Sequence, residues 1–295
     1  MDIEFSEADL PDFFRAFDQA SLRGQRLTLR ISALRLVGAL LATVGATLSF
    51  HLARVDVWAF VSLLGFLGAL AAELVLMVTQ PEKSWYDGRA AAESAKTLAW
   101  RYSVAADPFF GELGEREAVK LLRRRLEEVA GEIAGQIVVR DTDGAYCTDA
   151  MTLLRNAPFE QRREVYISRR TKDQQRWYAA KAVWNQRRST AWRVSLLSCE
   201  VVALVLVTGR ALDVWPVDWA ATLAAAIACG AAWLALKQHS SLGAAYSVAA
   251  AELLRQIGIL EETTEADWAH AVADAEDAVS REHTMWLAKR GAVNG

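Results

Sequence analysis

Charged and aromatic side chains recur at helical spacing shortly before an apolar stretch in the second half of the chain. Asp173, Trp177 and Lys181 stand four residues apart and share one helical face, which Arg176 and Tyr178 flank. A tryptophan beside a cation anchors a helix among lipid headgroups, or it stacks on and pairs with an anionic nucleotide. The pattern therefore indicates either a headgroup anchor or a site for a nucleotide second messenger.

A similar charged stripe occurs in the first half of the chain. Arg89, Glu93 and Lys96 are spaced by four and three residues, so the carboxylate can pair with both cations on one helical face. We interpret this stripe first as an interhelix contact that locks the two cytoplasmic halves together. Ligand binding by the same residues is the alternative.

Two carboxylates lie inside apolar stretches, Glu73 in LAAELVLMV and Glu200 in LLSCEVVAL. A carboxylate inside a membrane is costly and usually faces a partner or water. One interpretation pairs these groups with Lys83 or Arg193 near the interface. The other places both at the cytoplasmic vestibule of an oligomeric pore, where they favour cations.

The sequence gives no support for enzymatic chemistry. The four histidines lie in unrelated settings, and no GxSxG, HExxH, Walker or GxGxxG motif is present. Residues 141–144 begin like a calcium loop, but no glutamate follows at the twelfth position, and the three cysteines lack metal-ligand spacing. Glutamates follow the arginine run 123–125 at helix-pairing distance, which disfavours nucleic acid as a partner. We expect no catalytic residue, no cofactor and no metal.

Four apolar runs, at residues 36–50, 57–78, 194–209 and 219–236, form two close pairs on either side of a long charged segment. A helix needs about 20 residues to cross a bilayer, and flanking arginines can extend the shorter runs by reaching the headgroups. The layout predicts an all-α membrane protein with four transmembrane helices in two hairpins. The alternative is a large soluble all-α protein in which these runs are core helices.

The elements follow from these runs and from the five prolines, which favour helix starts and boundaries. We predict transmembrane helices at about 31–50, 57–79, 192–211 and 218–236, with long cytoplasmic helical extensions at 82–136, 159–190 and 240–290. The segment QIVVRDTDGAY, residues 136–146, is consistent with a small β-hairpin.

Charge predicts the orientation of the chain. Residues 80–190 hold 20 of the 33 lysine and arginine residues, whereas each short loop between paired runs holds one. Because cytoplasmic flanks are enriched in these residues, both termini and the middle segment should face the cytoplasm. The first thirty residues are charged throughout, so we expect no cleaved signal peptide.

Two further patterns indicate helix packing. Apolar residues alternate steps of three and four from Val119 to Ile133 and from Trp268 to Val279, which is typical of a face that packs on another helix of the chain or of a second subunit. Small residues, which allow close contact between membrane helices, recur in the first and fourth runs. They are Gly38, Ala42, Gly45 and Ala46, and Ala221, Ala224, Ala225, Ala228 and Ala232.

Three longer sequence segments resemble those of a known family: WYDGRAAAESAKTLAWRY, RREVYISRRTKDQQRWYAAKAVWN and EDAVSREHTMWLAKR. They are similar to SLATT domains, the two-transmembrane effector domains associated with SMODS nucleotidyltransferases and SLOG domains in bacterial conflict systems. The resemblance covers nearly the whole chain as two units, 1–150 and 151–295. It implies a membrane effector that forms pores or disrupts the inner membrane when a partner senses infection.

Two functions remain open from the sequence. The first is a homo-oligomeric effector in the bacterial inner membrane, triggered through its cytoplasmic helices by a nucleotide second messenger or a signalling protein. The second is a membrane-anchored scaffold or sensor that recruits a soluble enzyme. Induced ion leak would favour the effector, and a lack of polar lining in the membrane helices would favour the scaffold.

Overall fold

The chain is helical almost throughout the residues that the computed structural model describes, 5–52, 55–132 and 146–291. A short 3₁₀ helix (Glu7–Asp9) precedes α1, and a π-helical segment (Tyr166–Lys172) joins α6 to α7. The helices are α1 (Asp12–Thr47), α2 (Val57–Thr79), α3 (Pro81–Ser103), α4 (Glu115–Glu132), α5 (Asp149–Arg155), α6 (Phe159–Val165), α7 (Asp173–Ala211), α8 (Trp219–Lys237), α9 (His239–Glu262) and α10 (Trp268–Gly291). The predicted all-α fold is confirmed.

Four helical stretches are long and apolar enough to cross a membrane. They are Asp12–Thr47, Val57–Thr79, Phe159–Ala211 and Trp219–Glu262. The prediction of four transmembrane helices is confirmed by length and composition. The stretch that begins at Phe159 also carries a polar helical extension, as the sequence predicts, and the stretch that begins at Asp12 carries a further one.

The connection between α1 and α2 differs from the sequence prediction. The first membrane helix is predicted to reach residue 50, but α1 ends at Thr47 and a two-stranded antiparallel hairpin follows, β1 (His51–Leu52) and β2 (Val55–Asp56). Asp56 caps the start of α2 and also holds the connection, since its carboxylate accepts hydrogen bonds from the Phe50 and Trp58 N–H groups at 3.3 and 3.0 Å. The β-hairpin predicted at 136–146 lies outside the described residues, apart from Tyr146.

The chain forms two compact units. Unit 1 comprises residues 1–24, 83–182 and 244–295, and unit 2 comprises residues 25–82 and 183–243. Unit 1 is therefore assembled from three separated segments that come from both halves of the sequence. Unit 2 contains the apolar parts of all four membrane helices.

Unit 1 has a continuous apolar core. Its largest buried side chains include Phe17, Tyr102, Tyr166 and Trp268. The two predicted apolar stripes contribute to this core within the chain: Leu122 and Leu126 of α4 and Val272 and Ala275 of α10 are buried. Ile133, the last residue of the first stripe, lies outside the described residues.

Unit 2 holds α1 and α2 together by backbone contact at small residues. A Cβ atom added to Gly65 would lie 2.6 Å from Ala42 N, and one added to Gly45 would lie 2.5 Å from Ser62 N. Ser62 Oγ also donates to the Ala42 carbonyl at 2.8 Å. The small residues predicted in the first run therefore pack this hairpin, because a larger side chain would separate the two backbones.

Candidate functional site

A buried polar site in unit 1 is built around the carboxylate of Glu276 on α10, which is fully buried. Arg170 of the π-helical segment donates to it twice, Nε to Oε1 at 2.9 Å and Nη2 to Oε2 at 2.6 Å. The Tyr166 hydroxyl donates to Oε1 at 2.9 Å, and the Thr97 hydroxyl of α3 donates to Oε2 at 2.8 Å. Four hydrogen bonds therefore compensate the buried charge, and they connect three separated parts of the chain.

The environment keeps Glu276 ionised at neutral pH. Burial by itself would raise the pKa of its carboxyl group, but the Arg170 charge and the donated hydrogen bonds outweigh burial and hold that pKa below its usual value. Arg170 is equally enclosed, with 2 % of its side chain exposed. The pair is consequently a buried ion pair in which removal of either partner leaves an uncompensated charge.

The π-helical segment places Tyr166 and Arg170 on the same side of the chain. Four residues separate the two side chains, and both are buried against Glu276. Because π-helical turns are rare and are frequent at functional sites, this segment marks the point where the long helix departs from regular α geometry to complete the site.

The predicted stripe on α3 lies in the same unit. Arg89 Nη2 contacts Glu93 Oε1 at 2.8 Å, and Lys96 pairs with Glu7 in the 3₁₀ helix instead of with Glu93. Burial would lower the pKa of Arg89, but the Glu93 charge and weaker contributions from Tyr178, Tyr246 and Asp18 raise it. The structure therefore places Arg89 between a carboxylate of its own helix and side chains of α7 and α9.

The aromatic residues of the first motif form a cluster in unit 1. The Trp177, Tyr178 and Tyr246 rings lie 5.2 to 5.5 Å from one another, with Tyr178 buried and Trp177 40 % exposed. Lys181 Nζ lies 5.7 Å from the centre of the Trp177 ring, as expected for residues that share a helical face. Arg176 pairs with Asp173 one turn earlier, and both side chains are exposed.

The two carboxylates in the membrane helices have different environments in unit 2. Glu73 Oε2 lies 2.5 Å from Arg35 Nη1, so its partner is on α1 and not Lys83 as the first interpretation suggested. Glu200 is exposed on α7 and forms no ion pair with another described residue. Arg193, the cation expected near it, contacts Ser240 Oγ at 3.4 Å instead.

Most of these contacts connect different helices within one unit. Glu276 is saturated by donors, Arg89 and Lys96 face carboxylates, and the described residues include no cluster of three groups suited to a metal ion. The buried ion pair and its hydrogen bonds therefore favour one packing arrangement of the helices that they connect.

Comparison with protein families finds two matches that together cover most of the chain. Residues 11–163, just over half of the chain, match SMODS and SLOG-associating 2TM effector domain 3. Residues 166–286 match SMODS and SLOG-associating 2TM effector domain 1. The chain belongs to the SLATT family, with two domains in tandem. No curated protein and no solved structure matches it.

The two SLATT matches meet beside the π-helical segment, since the first ends at residue 163 and the second begins at 166. The Glu276 site thus joins both SLATT domains: Thr97 belongs to the first, and Tyr166, Arg170 and Glu276 belong to the second. The division of the sequence at residue 150 stays a prediction.

The sequence analysis did not identify Arg170 and Glu276 as site residues, although both lie in the segments that resemble SLATT domains. One signal was available, because Glu276 continues the four-residue spacing of Trp268 and Val272 and so falls on an apolar face of α10. A lone carboxylate on a buried face requires a cation. Its partner, 106 residues away in sequence, could not be identified without the fold.

Proposed function

We propose that this SLATT protein is a defence effector that oligomerises in the bacterial inner membrane and opens a cation-permeable pore when its cytoplasmic helices are triggered. Family membership makes it a membrane effector associated with SMODS and SLOG conflict systems. The pore, the oligomer and the trigger are the parts that we add. Both termini are assigned to the cytoplasm on the charge distribution of the sequence.

The main support for this proposal is that the two membrane carboxylates, Glu73 and Glu200, have different environments. Glu73 is neutralised within the chain by Arg35, whereas Glu200 is exposed on α7 and has no ion-pair partner among the described residues. Exposing a carboxylate to lipid costs about 2.5 kcal/mol or more. An oligomer in which α7 faces a shared aqueous path removes this cost. The Glu200 carboxylates, one from each subunit, then form a ring that attracts cations.

The trigger acts in unit 1. Thr97 of the first SLATT domain donates to Glu276 of the second, and Arg170 pairs with the same carboxylate, so this site favours one packing arrangement of helices from both domains. A signalling protein or a nucleotide second messenger would open the pore only if it bound the rearranged helices more tightly than the resting ones. We assign Trp177, Tyr178, Lys181 and Arg89 to the surface where that signal acts.

Ion selectivity tests the proposal with a matched pair of variants. The full chain is reconstituted in planar bilayers, and reversal potentials are measured across a KCl gradient for wild type, Glu200→Gln and Glu73→Gln. We expect wild type to favour K⁺ over Cl⁻ and Glu200→Gln to lose most of this preference. Glu73→Gln should retain it, because Glu73 contacts Arg35 on α1 and is not on the α7 face that the proposal places at the ion path. Equal selectivity in all three proteins would remove Glu200 from the ion path.

A membrane-anchored scaffold is the second candidate. The observation that favours it is the apolar character of α8, whose span contains no charged residue before Lys237. In that case the membrane helices only anchor unit 1, and a soluble enzyme binds the exposed Trp177 surface. The bilayer recordings discriminate the two functions, since a scaffold produces no current.

A further inference from the structure

Positive charge gathers in unit 2 where α8 ends and α9 begins. Lys237 is the last residue of α8, and Arg188 and Arg193 lie on α7. The charges of Lys237 and Arg188 both act on His239, and Arg193 reaches Ser240, so the three cations surround the same short connection. No aspartate or glutamate occurs in residues 183–199 or 219–251. The cations therefore have no counter-charge along these stretches.

None of these three cations forms an ion pair within the described part of the chain. The first hairpin of the same unit differs, because Arg35 there is paired with Glu73 at 2.5 Å. The acid-free connection is thus a property of the second hairpin and not a general feature of the membrane helices. An anion from outside the chain is the group that would balance it.

The connection is held in a defined geometry by aromatic and polar contacts. Arg188 lies over the Trp184 ring at 5.4 Å, and that ring lies 5.3 Å from the His239 ring. His239 Nδ1 is 2.8 Å from Asn185 Oδ1, a distance at which the ring N–H donates to the amide oxygen. His239 is buried, so this bond fixes the start of α9 against α7 and orients Trp184.

The cations also stand where headgroups are expected. Lys237 Nζ lies 5.1 Å from the centre of the Trp233 ring, at the end of a helix that is apolar enough to cross a membrane. Tryptophan is enriched at the level of the headgroups, and basic groups between membrane helices bind anionic headgroups. Gln238 adopts a left-handed conformation, φ 50°, and ends α8 at this level.

We propose that Arg188, Arg193 and Lys237 form a site for the phosphate group of an anionic phospholipid, with Trp184 and Trp233 flanking the headgroup. The proposal does not depend on pore formation, because it requires only that α7 and α8 cross the bilayer. A soluble phosphate compound would meet the same cations, but the position at the end of two membrane helices favours the lipid.

Lipid binding to the full chain tests this site. The protein in neutral detergent is titrated with phosphatidylglycerol or phosphatidylcholine, and bound lipid is counted by native mass spectrometry. The variant R188Q/R193Q/K237Q is compared with R123Q/R124Q/R125Q, which removes the same charge from α4, where each arginine pairs with Glu127 or Glu128. At about fivefold per cation, we expect the first variant to bind phosphatidylglycerol about a hundredfold more weakly. The α4 variant should bind like wild type.

Two further arms keep the test decisive. The charge-preserving variant R188K/R193K/K237R should retain preference for phosphatidylglycerol, and the single variant K237Q should lose about fivefold, so a folding failure of the triple variant does not end the experiment. Soluble glycerol phosphate should leave the bound lipid in place. Equal affinity of wild type for both lipids, equal loss in both triple variants, or displacement by glycerol phosphate would each overturn the assignment.

Discussion

At the scale of residues, the arrangement depends most on the Glu276 carboxylate, because four hydrogen bonds converge on it, two of them from its ion-pair partner Arg170. Exposed ion pairs such as Arg123–Glu127 contribute little, since solvent screens them. Removing one member of a buried pair is different, because the remaining charge cannot reach water. Replacing glutamate with glutamine should therefore destabilise the protein much more in the buried pair than in the exposed pair.

Replacing Glu276 with glutamine should lower the stability of the protein by about 3 kcal/mol, because Arg170 is left buried without its counter-charge. Glu127→Gln makes the same substitution in an exposed pair and should change stability by less than about 0.5 kcal/mol. Thermal unfolding of each detergent-solubilised protein, followed by circular dichroism, measures the difference. Similar unfolding temperatures for the two variants would contradict a structural role of the buried pair.

The same pair predicts a pH dependence. The pKa of Glu276 is lower in the folded chain than its ordinary value of 4.5, so ionisation of this group stabilises the folded state above that pH. The stabilisation is lost as the pH falls through the lower, folded-state pKa. We expect the stability difference between wild type and Glu276→Gln to be constant from neutral pH to about 5 and to shrink below about 4.5. A difference that stays unchanged at lower pH would contradict the assignment.

At the scale of elements, the first hairpin is fixed by small residues that bring two backbones together. Gly65 faces α1, and an added Cβ would lie 2.6 Å from the Gly38 carbonyl oxygen. Gly68, one turn later on α2, has no atom within 4 Å of an added Cβ. The two glycines thus separate the effect of helix packing from the effect of a larger side chain in the membrane.

Gly65→Leu should separate α1 from α2 and destabilise the protein by about 3 kcal/mol, the upper end of the usual cost of overpacking, because the obstructing atoms are backbone atoms. Gly68→Leu should be close to wild type. Fluorescence-detected size-exclusion chromatography after a heating series gives the melting temperature of each variant in detergent. Equal loss in both variants would show that this close contact is not needed for the hairpin.

The elements also show how far sequence could lead. Hydropathy predicts the membrane helices, because span length is a local property. The caps Asp56 and Asp218, at the starts of α2 and α8, were not identified from the sequence. The partners Arg35 of Glu73 and Arg170 of Glu276 were missed, since pairing across helices depends on the fold. The π-helical geometry at Tyr166–Lys172 was missed as well. It occurs together with the contact between Arg170 and Glu276, which depends on the fold and cannot be predicted from local sequence.

At the scale of the whole molecule, two SLATT domains do not fold as two separate bodies. Unit 1 draws residues from both family matches, and unit 2 contains the apolar parts of both hairpins. We expect the second domain expressed alone to lack the Thr97–Glu276 bond, because Thr97 belongs to the first domain.

If the chain permeabilises the membrane when triggered, the membrane potential of cells that produce it should fall. A potential-sensitive dye is followed after induction of the chain alone, and then with its neighbouring genes during phage infection, with Glu200→Gln as the matched variant. We predict depolarisation by the wild-type chain under the triggering condition and a smaller or slower response with Glu200→Gln. A steady potential under a confirmed trigger would contradict the effector function and leave the membrane-anchored scaffold.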